Sequence, residues 1–240
     1  MNIAMWSGPR NLSTAMMRSF SQRTDCTVAD EPFYAAYLQA TGLDHPMRDA
    51  IIAAGETDPA TVMAQCASPG PKAHFYQKHM THHMLPQFDL GWLGSVRNAF
   101  LIRHPARVVA SYNAKREDPT LDDLGFVEQE RIFERASELE GRSPPVIDAA
   151  DVRANPQRVL GALCEGLGIA FDPAMLKWPP GPHPDDGVWG SHWYKAIWES
   201  TGFAPPETGE HSILPDNLRR LVDQAMPIYE RLSRYRIGAD

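Results

Sequence analysis

IAMWSGPRNLSTAMMRSF, residues 3–20, opens on four apolar residues, too few for a helix and suited to a buried strand. Ser7, Gly8 and Pro9 then break the run. Arg10 and Asn11 follow, and after Leu12 the hydroxyl pair Ser13 and Thr14 stands where a helix would open. Met16, Met17 and Phe20 fall at helical spacing. The stretch predicts a strand, a tight polar loop and a helix. In such a layout the unpaired N–H groups of the first helical turn and the helix dipole favour an anion. Arg10 would add a charge-assisted contact to an oxyanion. The same residues also suit an ordinary strand–helix turn in which Ser13 or Thr14 is only a cap. The Walker pattern G-x-x-x-x-G-K-[ST] is not met, because Leu12 stands near the second Gly position and no Lys is present.

Working outward, Cys26–Ala29 reads as a second short strand that closes on Asp30-Glu31-Pro32-Phe33. Tyr34–Thr41, Met47–Ala54 and Pro59–Cys66 carry helical apolar spacing between Gly, Asp and Pro breaks. A third strand is predicted over Ala73–Gln77, emptying into Lys78-His79-Met80-Thr81-His82-His83, and a fourth over Ala99–Ile102, ending in Arg103-His104-Pro105. Arg107–Ala114 and Phe126–Leu139 read as helices, Val146–Ala149 as a fifth strand, and Gln157–Leu167 as a helix started by Asn155-Pro156. Trp178–Gly190 is a loop rich in Pro, Gly and Asp. Helices are predicted near Trp193–Ser200 and over Pro215–Tyr235, the latter bent at Pro227. Strands alternating with helices indicate an α/β sandwich with a mostly parallel sheet, whose ligands sit beyond the carboxyl ends of the strands. The loops at 7–12, 30–33, 78–83 and 103–105 all fall at that end.

At 240 residues and 43% hydrophobic composition, the chain is expected to form one large domain or one domain with a helical annex. No segment approaches a membrane span, and the start MNIAMW has no basic region of a secretory signal. Cys26, Cys66 and Cys164 are odd in number and widely spread, which fits neither a disulfide framework nor a zinc ribbon and points to a reducing cytoplasm. A net charge of −7 disfavours a broad nucleic-acid surface, so an anionic small ligand needs a local basic pocket. Nothing in the sequence fixes an oligomeric state.

Arg103 and Ser111 form a second anchor, one at a strand end and the other two turns into the next helix. If the helix begins near Pro105, Ser111 can point back at the loop and share one anion with Arg103. With these residues in place the chain resembles the sulfotransferase superfamily. Its members bind the 5′-phosphosulfate of 3′-phosphoadenosine 5′-phosphosulfate (PAPS) in a strand–loop–helix, as SGPRNLST would here through Ser7, Gly8, Pro9, Arg10, Asn11, Leu12, Ser13 and Thr14. They hold the 3′-phosphate with a strand-end Arg and a helical Ser, as in RHPARVVAS. Bacterial members often show the segment matched by Glu31-Pro32-Phe33, and a strand, Asn-Pro and helix like VIDAADVRANPQRVLGALCEGLGI. The resemblance covers most of residues 1–175 and implies a three-layer α/β sandwich of the P-loop nucleotide-kinase type with extra helices. It implies a single domain over 1–240, with a lid loop and carboxy-terminal helices at 179–240. The departures are definite: the usual loop Lys is Arg10, the usual Gly is Leu12, and the adenine-stacking aromatic is Ala15. The carboxy-terminal basic-Gly motif is not recognisable, and Lys195 in GSHWYKAIW is the candidate substitute.

The resemblance also implies sulfuryl transfer to a hydroxyl or amine of a small molecule or glycan, with PAPS as cosubstrate and no metal. Such a displacement needs a base for the acceptor and a cation at the departing phosphate. QKHMTHH offers Lys78 for the bridging oxygen and His79, ahead of His82, as the base. Glu31 and Phe33 would face the acceptor. Three other readings compete. His79, His82 and His83 lie at i, i+3, i+4 spacing and could bind a metal on a helix face, or have no role at all. Asp30-Glu31 after a strand looks like a Mg²⁺-binding acid of a P-loop-like small-molecule kinase. A non-catalytic nucleotide-binding protein of the same fold is the third. Trp178, Trp189, Trp193 and Trp198 read as packing residues, with Trp189 or Trp193 over the substrate as the minority alternative.

Overall fold

A computed structural model describes residues 1–114, 119–207, 209 and 214–238. Five parallel strands form one sheet: β1 (Asn2–Ser7), β2 (Cys26–Asp30), β3 (His74–Met80), β4 (Arg97–Ile102) and β5 (Val146–Asp148), in the order β2-β3-β1-β4-β5. Between and after them run α1 (Ser13–Ser21), α2 (Tyr34–Thr41), α3 (Arg48–Ala54), α4 (Pro59–Ala67), α5 (Pro105–Asn113), α6 (Leu121–Leu124), α7 (Phe126–Glu140), α8 (Ala149–Ala154) and α9 (Pro156–Leu167). The short α10 (Gly190–Trp193) and α11 (Lys195–Trp198) replace the single helix predicted there, and α12 (Asp216–Ser233) carries Pro227 inside it.

The strands are apolar on both faces because both faces are covered. In β1, Ile3 and Met5 pack with Met16, Met17 and Phe20 of α1 and with Leu160 and Leu163 of α9. Ala4 and Trp6 point the other way, into a core built from α4, α5, α7 and α12. The period of two repeats in β4, where Ala99 and Leu101 join the first core and Phe100 and Ile102 the second. The result is a layer of helices on each side of a parallel sheet.

One boundary shift matters for function. β3 continues through Met80, so the residues predicted to empty into a loop are strand residues with alternating directions. The helix-face arrangement of His79, His82 and His83 is therefore not formed: His79 is in the strand, and residues 81–83 form a single 3₁₀ turn. β1 is central, the chain crosses from β3 past it to β4, and the β1 and β4 ends flank the point where the connections diverge. Crevices for ligands form at such points.

Candidate active site

A cavity of about 480 Å³ lies there, lined by the loop after β1, the ends of β2, β3 and β4, and segments from 189 to 207. The loop is shaped by two non-glycine residues in the left-handed region, Arg10 at φ 61° and Leu12 at φ 71°. Conformations of that kind persist where the surroundings enforce them, and they gather at ligand-binding turns. Leu12 is the N-cap of α1, and no side chain caps the helix. The expected capping by Ser13 or Thr14 is not made, so both hydroxyls line the cavity beside an uncapped helix start. Pro9, Arg10, Asn11 and Leu12 line it too. Ser7 and Gly8 are buried and are not part of this lining. A Cβ on Gly8 would meet the Leu124 carbonyl oxygen at 2.5 Å, so glycine is required there by packing.

The second anchor closes on the first. Arg10 Nε donates to Ser111 Oγ at 3.0 Å, and Arg103 donates to the Arg10 carbonyl oxygen and to Glu207. Arg153, on α8 after β5, also lines the cavity and reaches Glu207 Oε1 at 3.2 Å. Burial, with Arg153 and Arg10 adding to it, holds Arg103 below its ordinary value despite Glu207. Burial likewise lowers Arg10. Lys195, expected to help hold an anion, is exposed and lies outside the lining, whereas Arg153 is inside it. Its signal was available: Arg153 stands two residues before Asn155-Pro156, in the segment that carried the family likeness.

On the β2–β3 side the chemistry is different. Lys78 is fully buried and faces the cavity. Its ammonium has three donors. Asp30 Oδ1 accepts at 2.9 Å, Glu31 Oε1 accepts, and the Tyr194 hydroxyl lies at 2.7 Å. Burial alone would lower its pKa, but Asp30 and Glu31 outweigh it, and Lys78 stays well above the ordinary value. Glu31, at φ 45°, lines the cavity with its carboxyl pushed up by burial and by Asp30, against the pull of Lys78. Its Oε2 is 4.0 Å from His83 Nδ1, and His83 is stacked between Tyr34 at 4.5 Å and Tyr37 at 4.8 Å. Tyr34, His82, Trp189 and Trp193 complete this side of the lining, and Trp189 and Trp193 also pack in a cluster with Tyr34 and Tyr194, as the packing reading expects.

Two expected site residues are elsewhere. His79 points to the opposite sheet face, stacked on Trp6 at 4.4 Å, and burial lowers its pKa to about 3. A ring walled off from the cavity cannot reach an acceptor. Phe33 is in the same core, tilted against His79, Phe88 and Trp92, and does not line the cavity. Among the described residues no three His, Cys, Asp or Glu side chains gather as a metal site.

A family model described as a sulfotransferase domain matches residues 1–235. Two Arabidopsis thaliana proteins, branched-chain-amino-acid aminotransferase-like proteins 1 and 2, are 37% and 35% identical over 231 residues, which are 96% of this chain and 41% of each of them. The chain thus spans about two fifths of the length of these curated relatives, and their names describe much longer proteins. The crystal structure of a sulfotransferase from Alicyclobacillus acidocaldarius is similar at a TM-score of 0.59 and 12% identity, covering 99% of this chain and 97% of that one. The sulfotransferase domain from the curacin biosynthetic pathway gives 0.50 and 14%, covering 94% and 97%. At those identities the likeness is one of fold.

Proposed function

We propose that this chain, which belongs to the sulfotransferase domain family, moves a sulfuryl group from PAPS to a hydroxyl or amine of a small-molecule or glycan acceptor. The observation that carries the donor assignment is the convergence of Arg10, Arg103, Arg153 and Ser111 beside the uncapped start of α1. It makes two adjoining anion sites, one of helix N–H groups and hydroxyls, one of guanidinium groups. Buried Nε atoms of Arg103 and Arg153 and Oδ1 of Asn11 have no hydrogen-bond partner among the described residues, which suits a polar ligand. Residues Pro9–Thr14 would hold the 5′ end and Arg103, Ser111 and Arg153 the 3′-phosphate. The bound nucleotide would supply the activated sulfuryl group.

The chain's own part is positioning and proton handling. Glu31 takes the acceptor proton in place of His79. Its carboxylate lines the cavity, is held by Lys78, and its raised pKa makes it a stronger base than an exposed glutamate. Lys78 acts by fixing that carboxylate, since Asp30, Glu31 and Tyr194 already engage it. His82, also on the lining, is the second candidate base. Acceptor recognition falls to Tyr34, Trp189 and Trp193. The kinase reading is disfavoured by Lys78, which neutralises the carboxylates a Mg²⁺ ion would need.

Calorimetric titration tests the donor. Adenosine 3′,5′-bisphosphate is expected to bind without metal, at least tenfold tighter than ATP with Mg²⁺, because a charge-assisted contact contributes about 1.5–3 kcal/mol. Binding of Mg²⁺-ATP alone would favour the kinase. Binding of the bisphosphate with no transfer to any screened acceptor would favour a non-catalytic nucleotide-binding protein.

A further inference from the structure

Glu207 lies among the arginines that line one side of the cavity. Among the described lining residues Arg10, Lys78, Arg103 and Arg153 are cationic, and the carboxylates are Glu31 and Glu207. Glu31 is matched to Lys78; Glu207 is matched to arginines. Its Oε1 accepts from Arg103 and lies 3.2 Å from Arg153 Nη1, and its Oε2 lies 3.9 Å from Arg107 Nε. Residues 203–207 form no helix or strand, so these ion pairs, more than any backbone ladder, place the carboxylate. The side chain is one-quarter exposed, which leaves it room to swing away.

We propose that Glu207 is a built-in stand-in for the 3′-phosphate. It neutralises the arginine set while the cavity is empty, leaves when a 3′-phosphorylated nucleotide enters, and returns as the spent nucleotide departs. The inference rests on the donor reading above. Its physics is an exchange of anions. Guanidinium groups crowded at a partly buried site need a counter-charge, and a two-oxygen carboxylate fits their forks. A phosphate brings three oxygens and about −1.5 to −2 charge, and so displaces it. The displacement lowers the apparent affinity, because only the fraction of molecules with Glu207 withdrawn binds at full strength. A nucleotide with a free 3′-hydroxyl has nothing to exchange and does not meet this competition. Glu207 therefore sets how tightly the product, which keeps both phosphates, is retained.

The test compares the whole chain with Glu207→Gln by calorimetry, using adenosine 3′,5′-bisphosphate and adenosine 5′-monophosphate at one ionic strength. Glu207→Gln is expected to bind the bisphosphate about tenfold or more tighter and to release it more slowly, with the monophosphate changed less than twofold. Should the Gln variant not fold, Glu207→Asp, one methylene shorter, is expected to gain bisphosphate affinity in the same sense. No gain for the bisphosphate, or an equal gain for both nucleotides, overturns the inference and leaves the donor reading standing. If neither protein binds the bisphosphate, the donor reading itself falls and takes this inference with it.

Discussion

At His79 the ring gives its Nε2 proton to Gln77 Oε1 at 3.1 Å, and the amide cannot be turned over because Gln77 Nε2 donates to the Cys66 carbonyl at 2.7 Å. Burial, which lowers its pKa to about 3, keeps the imidazole neutral in the core. The unfolded chain binds the proton more readily, so the stability His79 allows is present above about pH 6.5 and is lost as pH falls toward about 3. His79→Phe, which keeps the stack on Trp6, is expected to reduce that acid loss, by up to about 1.4 kcal/mol for each pH unit of the window. It should leave bisphosphate affinity within twofold. Glu31→Gln is the counterpart, expected to cut transfer by roughly 10²–10⁴-fold with little change in stability at neutral pH. In the unsubstituted enzyme the rate should fall as pH drops through the raised Glu31 pKa, because only the carboxylate accepts a proton. Urea unfolding at several pH values and labelled-donor assays read both variants. If His79→Phe abolishes transfer while Glu31→Gln retains it, the proton acceptor has been misassigned.

Between elements, the segment carrying Trp189, Trp193 and Tyr194 is tied to β2 and to α1 through two buried carboxylates. Asp30 accepts from the Gly187 amide at 3.0 Å and from the Tyr194 hydroxyl at 2.8 Å. Asp186 accepts from Arg18 of α1 at 2.6 Å and from Trp198 Nε1 at 2.9 Å. Arg18 and Asp186 are 3% and 6% exposed, deep enough that removing one partner strands the other. Arg18→Met should cost about 3–5 kcal/mol, and adding Asp186→Asn should recover much of it, since the stranded charge is what destabilises. Equal and additive losses in urea unfolding would mean that the pair is solvated and that the segment is held mainly by its aromatic packing. The Asp30 tie runs through Tyr194 to Lys78 and Glu31, so the same segment that walls the cavity also holds Glu31, the proposed proton acceptor.

Over the whole molecule, a net charge of −7 surrounds a cavity with three arginines and an uncapped helix start at one side. The sheet order explains the separation of charge. Arg153 follows β5 and Glu31 follows β2, at opposite edges, four strand spacings or roughly 19 Å apart. The proposed anion site and the proposed base, Glu31, thus flank the central β1 loop. Bisphosphate at one hundred times its Kd should add about 2.7 kcal/mol, a Tm rise of roughly 5–11 °C for a chain of this size. The rise should shrink at 0.5 M salt at the same ligand concentration, as screening weakens the arginine contacts (the screening length is ~10 Å at 0.1 M). A salt-independent shift would place the nucleotide elsewhere. Among the described residues no helix is long and apolar enough to cross a membrane.

Local order was legible before any coordinates. The apolar run at Ile3–Trp6, the break at Ser7-Gly8-Pro9 and the helical spacing after Leu12 predict strand, loop and helix because those signals act over a few neighbouring residues. Arg10 could be placed in the loop, Arg103 at a strand end and Ser111 two turns into the next helix by the same reasoning, and the structure brings them together. The direction of His79 could not. A three-residue extension of β3, set by its pairing with β1 and β2 from Asn2 to Ser7 and from Cys26 to Asp30, turned a loop histidine into a core residue on the far face. Lys195 and Arg153 exchanged places for the same kind of reason. Which side chain enters a cavity depends on how separate elements pack, and residues 103, 153 and 207 meet only once β4, α8 and the segment after Gly202 are assembled.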